Sequence, residues 1–374
     1  MLPTRDEYEA AGLLDRIETS VDDRLALLEW LSEHGFSIAE MATAHTSGLM
    51  QSLASDRIIS SGRELTLDEA VAESGIEIDV FRSVLRASGF QPDTAVLTDA
   101  SIELIREFAT ARELFSDVEV LHFVRVMGSS LSRIAEAANS LFLLDIETPI
   151  KMDKPSELEL ARQSELATAS IDAVSRAIGA LFRLHMREAI ERSRVARQHA
   201  TDLHLVPMAV GFVDLVGFTP LTAASSVREL IDLVVGFESR AYDIVNDHGG
   251  RLVKLIGDEV MFTTIDPSDA CAIAVDMFSA LGESATVTPR AGIAYGNMLA
   301  HGGDYYGSVV NLASRVADIA VPWEILVTDD LASRVAHSHP TESAGRRLLK
   351  GFAEPVPLFE VRREGPNEGP YRRT

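Results

Sequence analysis

The spacing of apolar positions changes near the middle of this chain. From the N-terminus to about residue 200 they recur every three or four residues. In "DDRLALLEWLSEHGF", Leu25, Leu28 and Leu31 fall at helical spacing, Leu27 and Trp30 lie close by, and Gly35 supplies a stop. The stretches "SIAEMATAHTSGLMQSLASDRII", "SIELIREFATARELFS" and "DVEVLHFVRVMGSSLSRIAEAANSLFLL" keep that period. An all-α domain over residues 1–180 is predicted, with weak strand signals. Near Val206 the texture becomes β-branched and apolar, in "VPMAVGFVDLVGF". A helical stretch, "TPLTAASSVRELIDLVVGFESRAYDIVNDHG", comes next. It is followed by the hairpin pattern "RLVKLIGDEVMF", a helix from about Ser268 to Leu281, and the strand "PRAGIAYG". The helix "SVVNLASRVADIA" and the strand "EILVT" complete the series. Alternating strands and helices predict an α+β sandwich on one sheet over residues 206–363. The last residues, 364–374, are rich in Gly and Pro and are expected to be disordered.

Between the two textures lies a predicted linker helix, residues 181–205. It carries five arginines between Leu181 and Ala200, and the histidines His185, His199 and His204. Such a segment is either a solvated helix with a charged face or a linker whose arginines pair with acidic surface elsewhere.

Charge and composition narrow the function. The chain has 374 residues, enough for two or three domains, and a formal net charge of -23. An acidic surface argues against a nucleic-acid partner, because phosphate contacts need basic residues. It allows a phosphorylated ligand, since bound cations offset local acidity. Cys271 is the single cysteine, so no disulfide framework forms within the chain. It is expected to pack as a small apolar residue of a helix. No secretory signal is expected from "MLPTRDEYEAAGLL", and no apolar run reaches membrane-spanning length, so a cytoplasmic protein without membrane insertion is expected.

Candidate chemistry gathers in the second half. "GFVDLVGFTPLT" places Asp214 at a strand end, with Thr219 as a plausible N-cap and Pro220 as the first helical residue. The loop from Leu215 to Phe218, with Gly217 in it, would present backbone N–H groups at a helix start, a phosphate-binding geometry. The hairpin carries Gly257, Asp258 and Glu259 at its turn and Lys254 inside its first strand. If the hairpin adjoins the strand of Asp214, then Asp214, Asp258 and a backbone carbonyl, that of Leu215, form a site for hard divalent cations. Further on, "GGDYYGSVVNLASRVADIA" places Asp304 in a loop and puts Asn311 and Arg315 on one helical face.

Three spaced motifs, "FVDLVGFT", "KLIGDEVMF" and "DYYGSVVNLASR", resemble the class III nucleotidyl cyclase catalytic domain. The resemblance extends over about residues 206 to 362, through "LLKGFAEPVPLFEV". It implies a ferredoxin-like βαββαβ core, a head-to-tail homodimer with sites in the interface, and two Mg2+ or Mn2+ ions per site. By the same resemblance Asp214 and Asp258 are the metal-binding aspartates. Lys254 reaches the purine and Asp304 reads its exocyclic group. Asn311 orients the ribose and Arg315 stabilises the transition state. Phe212, Gly217, Phe218 and Thr219 belong to the substrate site, and Lys350 approaches the polyphosphate. A donor at Lys254 and an acceptor at Asp304 suit N1 and N6 of adenine, so ATP is the expected substrate. Asp214 and Asp258 would come from one protomer, and Lys254, Asp304, Asn311 and Arg315 from the other.

The layout as a whole resembles the soluble pH-sensing adenylyl cyclases of actinobacteria. That implies an autoinhibitory N-terminal domain with room for a fatty acid, which "LHFVRVM" and "LFLL" could line if they are not plain core. The alternative is a DNA-binding regulator with the cyclase domain as nucleotide sensor, because "RELTLDEAVAESGIEIDVFRSVLRASGF" resembles a helix-turn-helix. Charge opposes it: from Glu64 to Phe90 there are six acids and two arginines.

Overall fold

The computed structural model describes residues 2–362 except 16, 18, 61, 154, 199–204 and 282–286. The chain divides into two units, Met1–Arg183 and Leu184–Thr374. Ten α-helices lie wholly within the first among its described residues: α1 Arg5–Ala10, α2 Val21–Glu33, α3 Ile38–Ser47, α4 Leu53–Ile59, α5 Leu67–Ser74, α6 Ile78–Ala87, α7 Asp99–Ala111, α8 Asp117–Phe142, α9 Thr148–Asp153 and α10 Glu157–Ala169. They enclose two cores. The leucines of α2 sit in one, with Tyr8, Met41 and Ala161. Phe81, Val84, Leu97 and Ile105 form the other.

A buried ion pair fastens the first core. Both Arg24 and Glu157 are almost fully buried, and the arginine donates through Nε at 2.6 Å and Nη2 at 2.5 Å to the two carboxylate oxygens. Next to it, Asp23 accepts from Ser156 Oγ at 2.6 Å and from the Glu157 N–H at 2.7 Å, capping the start of α10. Two neighbouring residues of α2 thus hold the N-terminus of a helix 133 positions away.

The helix-turn-helix pattern folds as α5, Gly75 at φ +72°, and α6. Helix α6 turns Phe81, Val84 and Leu85 into the second core. "LFLL" is not plain core, because Leu141, Leu143 and Leu144 are exposed. Helix α11, Ile171–Arg197, begins ten residues before the predicted linker. Two of its arginines pair within the helix, Arg192 with Glu188 and Arg194 with Glu191.

The second unit is built on an eight-stranded sheet: β1 Leu205–Val216, β2 Arg251–Ile256, β3 Glu259–Thr264, β4 Thr288–His301, β5 Asp304–Tyr306, β6 Ile325–Thr328, β7 Thr341–Arg347 and β8 Val356–Val361. Its order is β2-β3-β1-β4-β6-β8-β7, with β5 paired to β4. The first four strands are antiparallel neighbours, and the βαββαβ order is that of a ferredoxin-like core. The intervening helices are α12 Phe218–Ala224, α13 Val227–Asp247 and α14 Pro267–Leu281; α15 Ser308–Ile319 and α16 Asp329–Val335 follow. Two cores flank the central strands. Val213, Val260, Phe262 and the apolar face of α14 share one, which also holds Cys271, whose thiol burial pushes up to about 12. Phe212, Met261, Ala313 and Ala317 share the other, beneath α15. Helix α15 approaches closely because β4 carries glycine there: a Cβ on Gly292 would lie 2.1 Å from the Ala317 nitrogen. Among the described residues no helix is long and apolar enough to cross a membrane.

Candidate active site

Strand alternation decides which side chains share a face. Phe212 and Met261 point to the α15 side, so Asp214 and Glu259, two positions along each strand, follow them. Asp214 and Glu259 are direct cross-strand partners, and Asp258 lies in the turn just before β3. The hairpin does adjoin β1, as the sequence pattern required for the two aspartates to meet.

This end of the sheet is crowded with negative charge. Burial, and then the charge of Asp214, raise the Asp258 carboxyl above its ordinary range. Glu259 is raised further, to about 7, by burial first and then by Asp214 and Asp318. A cation partly offsets the cluster. Arg290, opposite Asp214 on β4, donates from Nε at 2.8 Å and from Nη2 at 2.5 Å to the Asp214 Oδ2. Its Nη1 donates to the Asp318 carbonyl at 2.7 Å. Arg290 is a site residue that the sequence reading did not single out. Its signal was an arginine at the head of an apolar strand, but only the β1–β4 register aligns it with Asp214.

Lys254 stands in a strand because of a bulge. Register shifts between Leu252 and Lys254, after which Lys254 pairs with Met261 and joins the α15 face. There its Nζ donates to Asp304 Oδ2 at 2.6 Å. Burial opposes ionisation of Asp304. The Lys254 hydrogen bond, the Tyr305 N–H at 2.8 Å and the charges of Lys254 and Arg251 outweigh it and hold the carboxyl below its usual value. The structure therefore brings together two of the residues expected to read a base.

Helix α15 carries the next pair. Asn311 is exposed, and Arg315 Nη1 donates to Asp318 Oδ2 at 2.6 Å, one turn on. The loop after Asp214 departs from expectation. Gly217, at φ +92°, occupies the cap, and the helix begins at Phe218, so Thr219 is inside it and Pro220 is its third residue. Proline is tolerated there because N–H groups of the first turn lack helical partners anyway. The Thr219 side chain lies outside the described residues. Phe212 is buried under α15, the Leu215 side chain is buried in the opposite core, and Lys350 is exposed in the turn after β7. His185 is exposed on α11, with Nδ1 3.9 Å from Glu188, and His199 and His204 lie outside the described residues.

Comparison with known proteins fits both units. Residues 6–190 match the family described as adenylate cyclase regulatory domain, and residues 204–359 match adenylate and guanylate cyclase catalytic domain. A Mycobacterium tuberculosis protein is 33% identical over 95% of this chain and 93% of its own length. An adenylate cyclase of Streptomyces griseus is 30% identical over 84% of this chain and 79% of its own. The chain belongs to the adenylate cyclase family. A further member, a pH-sensitive adenylate cyclase of M. tuberculosis, is 28% identical over 94% of this chain and 91% of its own. In this adenylate cyclase the regulatory match ends at residue 190 and the catalytic match begins at 204. The intervening stretch, 191–203, is the end of α11, Gln198 and residues 199–203, which lie outside the described residues.

Among the described residues no three or more His, Cys, Asp and Glu side chains are grouped so as to hold a metal ion. The donor set nevertheless fits one. Asp214 and Asp258 are hard carboxylates at one end of the sheet; Asp258 is raised by burial first, with the charge of Asp214 adding to it, and a divalent cation would relieve that repulsion. Further ligands would come from backbone oxygen and from phosphate. Arg290 shares Asp214 Oδ2, so an ion there would compete with the guanidinium.

Proposed function

We infer that this adenylate cyclase converts ATP to 3',5'-cyclic AMP and pyrophosphate, in a homodimer with two equivalent sites. The observation that carries the reading is the Lys254–Asp304 pair, a donor beside an acceptor, on the sheet face that also holds Asp214. Adenine presents the complementary acceptor at N1 and donor at N6. Guanine presents the reverse at N1 and O6.

Asp214 and Asp258, with the Leu215 carbonyl, would hold Mg2+ or Mn2+. When bound, such ions activate the ribose 3'-hydroxyl and offset charge on the triphosphate. The N–H groups following Gly217 would face the phosphates. Asn311 would orient the ribose, and Arg315 would offset charge growing on the phosphoryl oxygens. Both are accessible to a second copy, since Asn311 is exposed and Arg315 leans on a neighbour of its own helix. Lys350 would approach the polyphosphate. Incubating the purified chain with ATP and Mn2+ or Mg2+, and assaying cyclic AMP, tests the reading. Product from GTP but not from ATP would refute it.

The N-terminal unit is the regulator in this reading, and mild acid is the signal. Histidine is the side-chain type that gains charge in mild acid, and His185, His199 and His204 lie in or beside a segment already rich in arginine. The full chain and a chain beginning at Leu203 should then differ in their pH–activity profiles. Identical profiles and specific activities would remove regulation from the proposal.

A further inference from the structure

Arg251 begins β2, three residues before Lys254, and has no task in the function proposed above. Its Nη2 donates to the Gly303 carbonyl at 2.6 Å, and its guanidinium lies over the Tyr305 ring, 5.5 Å from the centroid. Gly303 and Tyr305 are the two residues that flank Asp304.

The segment between them is the end of a two-glycine hairpin turn, closed by the pairing of His301 with Asp304. Asp304 opens a three-residue strand reached through Gly302 and Gly303, at φ +59° and +80°. Glycines at a turn leave the backbone its greatest freedom. The Tyr305 side is firm, because that ring is 8% exposed and packs in the core with Phe212 and Met261. Arg251 ties the glycine side to β2, the strand that carries Lys254, and lies over the firm tyrosine side. A planar guanidinium can do both, donating in its plane and stacking by its face.

We propose that Arg251 is a positioning residue for base selection, fixing the β4–β5 turn so that Asp304 meets the exocyclic amino group of the purine without itself touching nucleotide. The proposal rests on the reading of Lys254 and Asp304 as the base-reading pair. A recognition group must be held to within about 0.5 Å to discriminate, and the Asp304 carboxylate inherits its place from the turn.

The test compares ATP and GTP kinetics of the full chain with those of Arg251→Met, Arg251→Lys and Asp304→Asn. Arg251→Met keeps the apolar stem and removes both contacts. We expect kcat/KM for ATP to fall about ten-fold, mostly through KM, as for loss of binding shared by ground and transition states. The ATP:GTP preference should narrow about five-fold or more, because an acceptor out of place no longer discriminates. Arg251→Lys should lie between, since an ammonium can reach the carbonyl but cannot stack as a plane. It also serves if the methionine variant does not fold. Equal losses for ATP and GTP in the Arg251 variants, with Asp304→Asn still narrowing the preference, would show a plain structural clip and overturn the proposal. An unchanged preference in Asp304→Asn would overturn the base-reading assignment beneath it, and the proposal with it.

Discussion

The two units use the same chemistry, an arginine or lysine against a carboxylate, to opposite ends. In the N-terminal unit one pair among several, Arg24 with Glu157, is almost fully buried and satisfied in a bidentate fork. In the catalytic unit the pairs are Arg290 with Asp214, Lys254 with Asp304 and Arg315 with Asp318, all partly open to water. A buried pair, shielded from water, locks two helices together. An open pair can exchange its partner for a ligand at little cost, because water screens either state. Each of these three open pairs includes a residue expected to meet nucleotide or metal, while other open pairs, such as Arg334 with Asp330, lie away from the site.

The sharpest break of that comparison is in the chemistry. Asp258→Ala removes a hard anionic group and, with it, charge repulsion. Cyclic AMP formation should fall at least about a thousand-fold, equivalent to about 4 kcal/mol, while thermal stability holds or rises. Near-normal turnover would end the two-metal assignment. Glu157→Ala should do the reverse. It leaves Arg24 buried without its carboxylate and should destabilise the N-terminal unit by about 3–5 kcal/mol in denaturant unfolding. A loss below about 1 kcal/mol would mean that water or His45, 3.1 Å from Arg24 Nη1, replaces the partner.

Mixing Asp214→Ala with Arg315→Ala chains tests whether the open pairs serve a site shared between copies. Random exchange makes half the dimers mixed, each with one intact site of two, so activity should recover to about one quarter of wild type. No recovery, with mixed dimers confirmed by mass, would place the whole site in one chain.

The main features of the site were legible in the sequence where a residue type violates its surroundings. Lys254 inside an apolar strand and an Asn–Arg pair on an amphipathic helix stand out without a structure. The ferredoxin-like order was legible from alternating patterns. What was not legible depends on register. Arg290 meets Asp214 only because β1 and β4 pair at those residues, and Lys254 joins the α15 face only through a bulge that no residue type announces. The helix after Asp214 was placed two residues late because Thr219-Pro220 is a good start signal, yet Gly217 supplies the cap first. Glu259 looked like turn chemistry, and its cross-strand place opposite Asp214 makes it part of the acidic cluster.

That placement gives the smallest effect. Glu259 has an ordinary value of 4.5 and is raised to about 7 in the fold, by burial first and then by Asp214 and Asp318. The folded state holds its proton to higher pH than the unfolded chain does. Between about pH 4.5 and 7 the folded chain therefore binds more protons, and stability falls as pH rises through that window, levelling off above it. A shift of that size is about 3 kcal/mol at 1.36 kcal/mol per unit. Partial solvent exposure reduces the expected contribution to on the order of 1 kcal/mol. In metal-free protein, Glu259→Gln should flatten the dependence in that window and be more stable than wild type at pH 8. Chemical denaturation at pH 5, 6, 7 and 8 measures both. Parallel curves for variant and wild type would mean that the Glu259 carboxylate is already neutralised, with Arg290, held by Asp214, as the nearest candidate to do it.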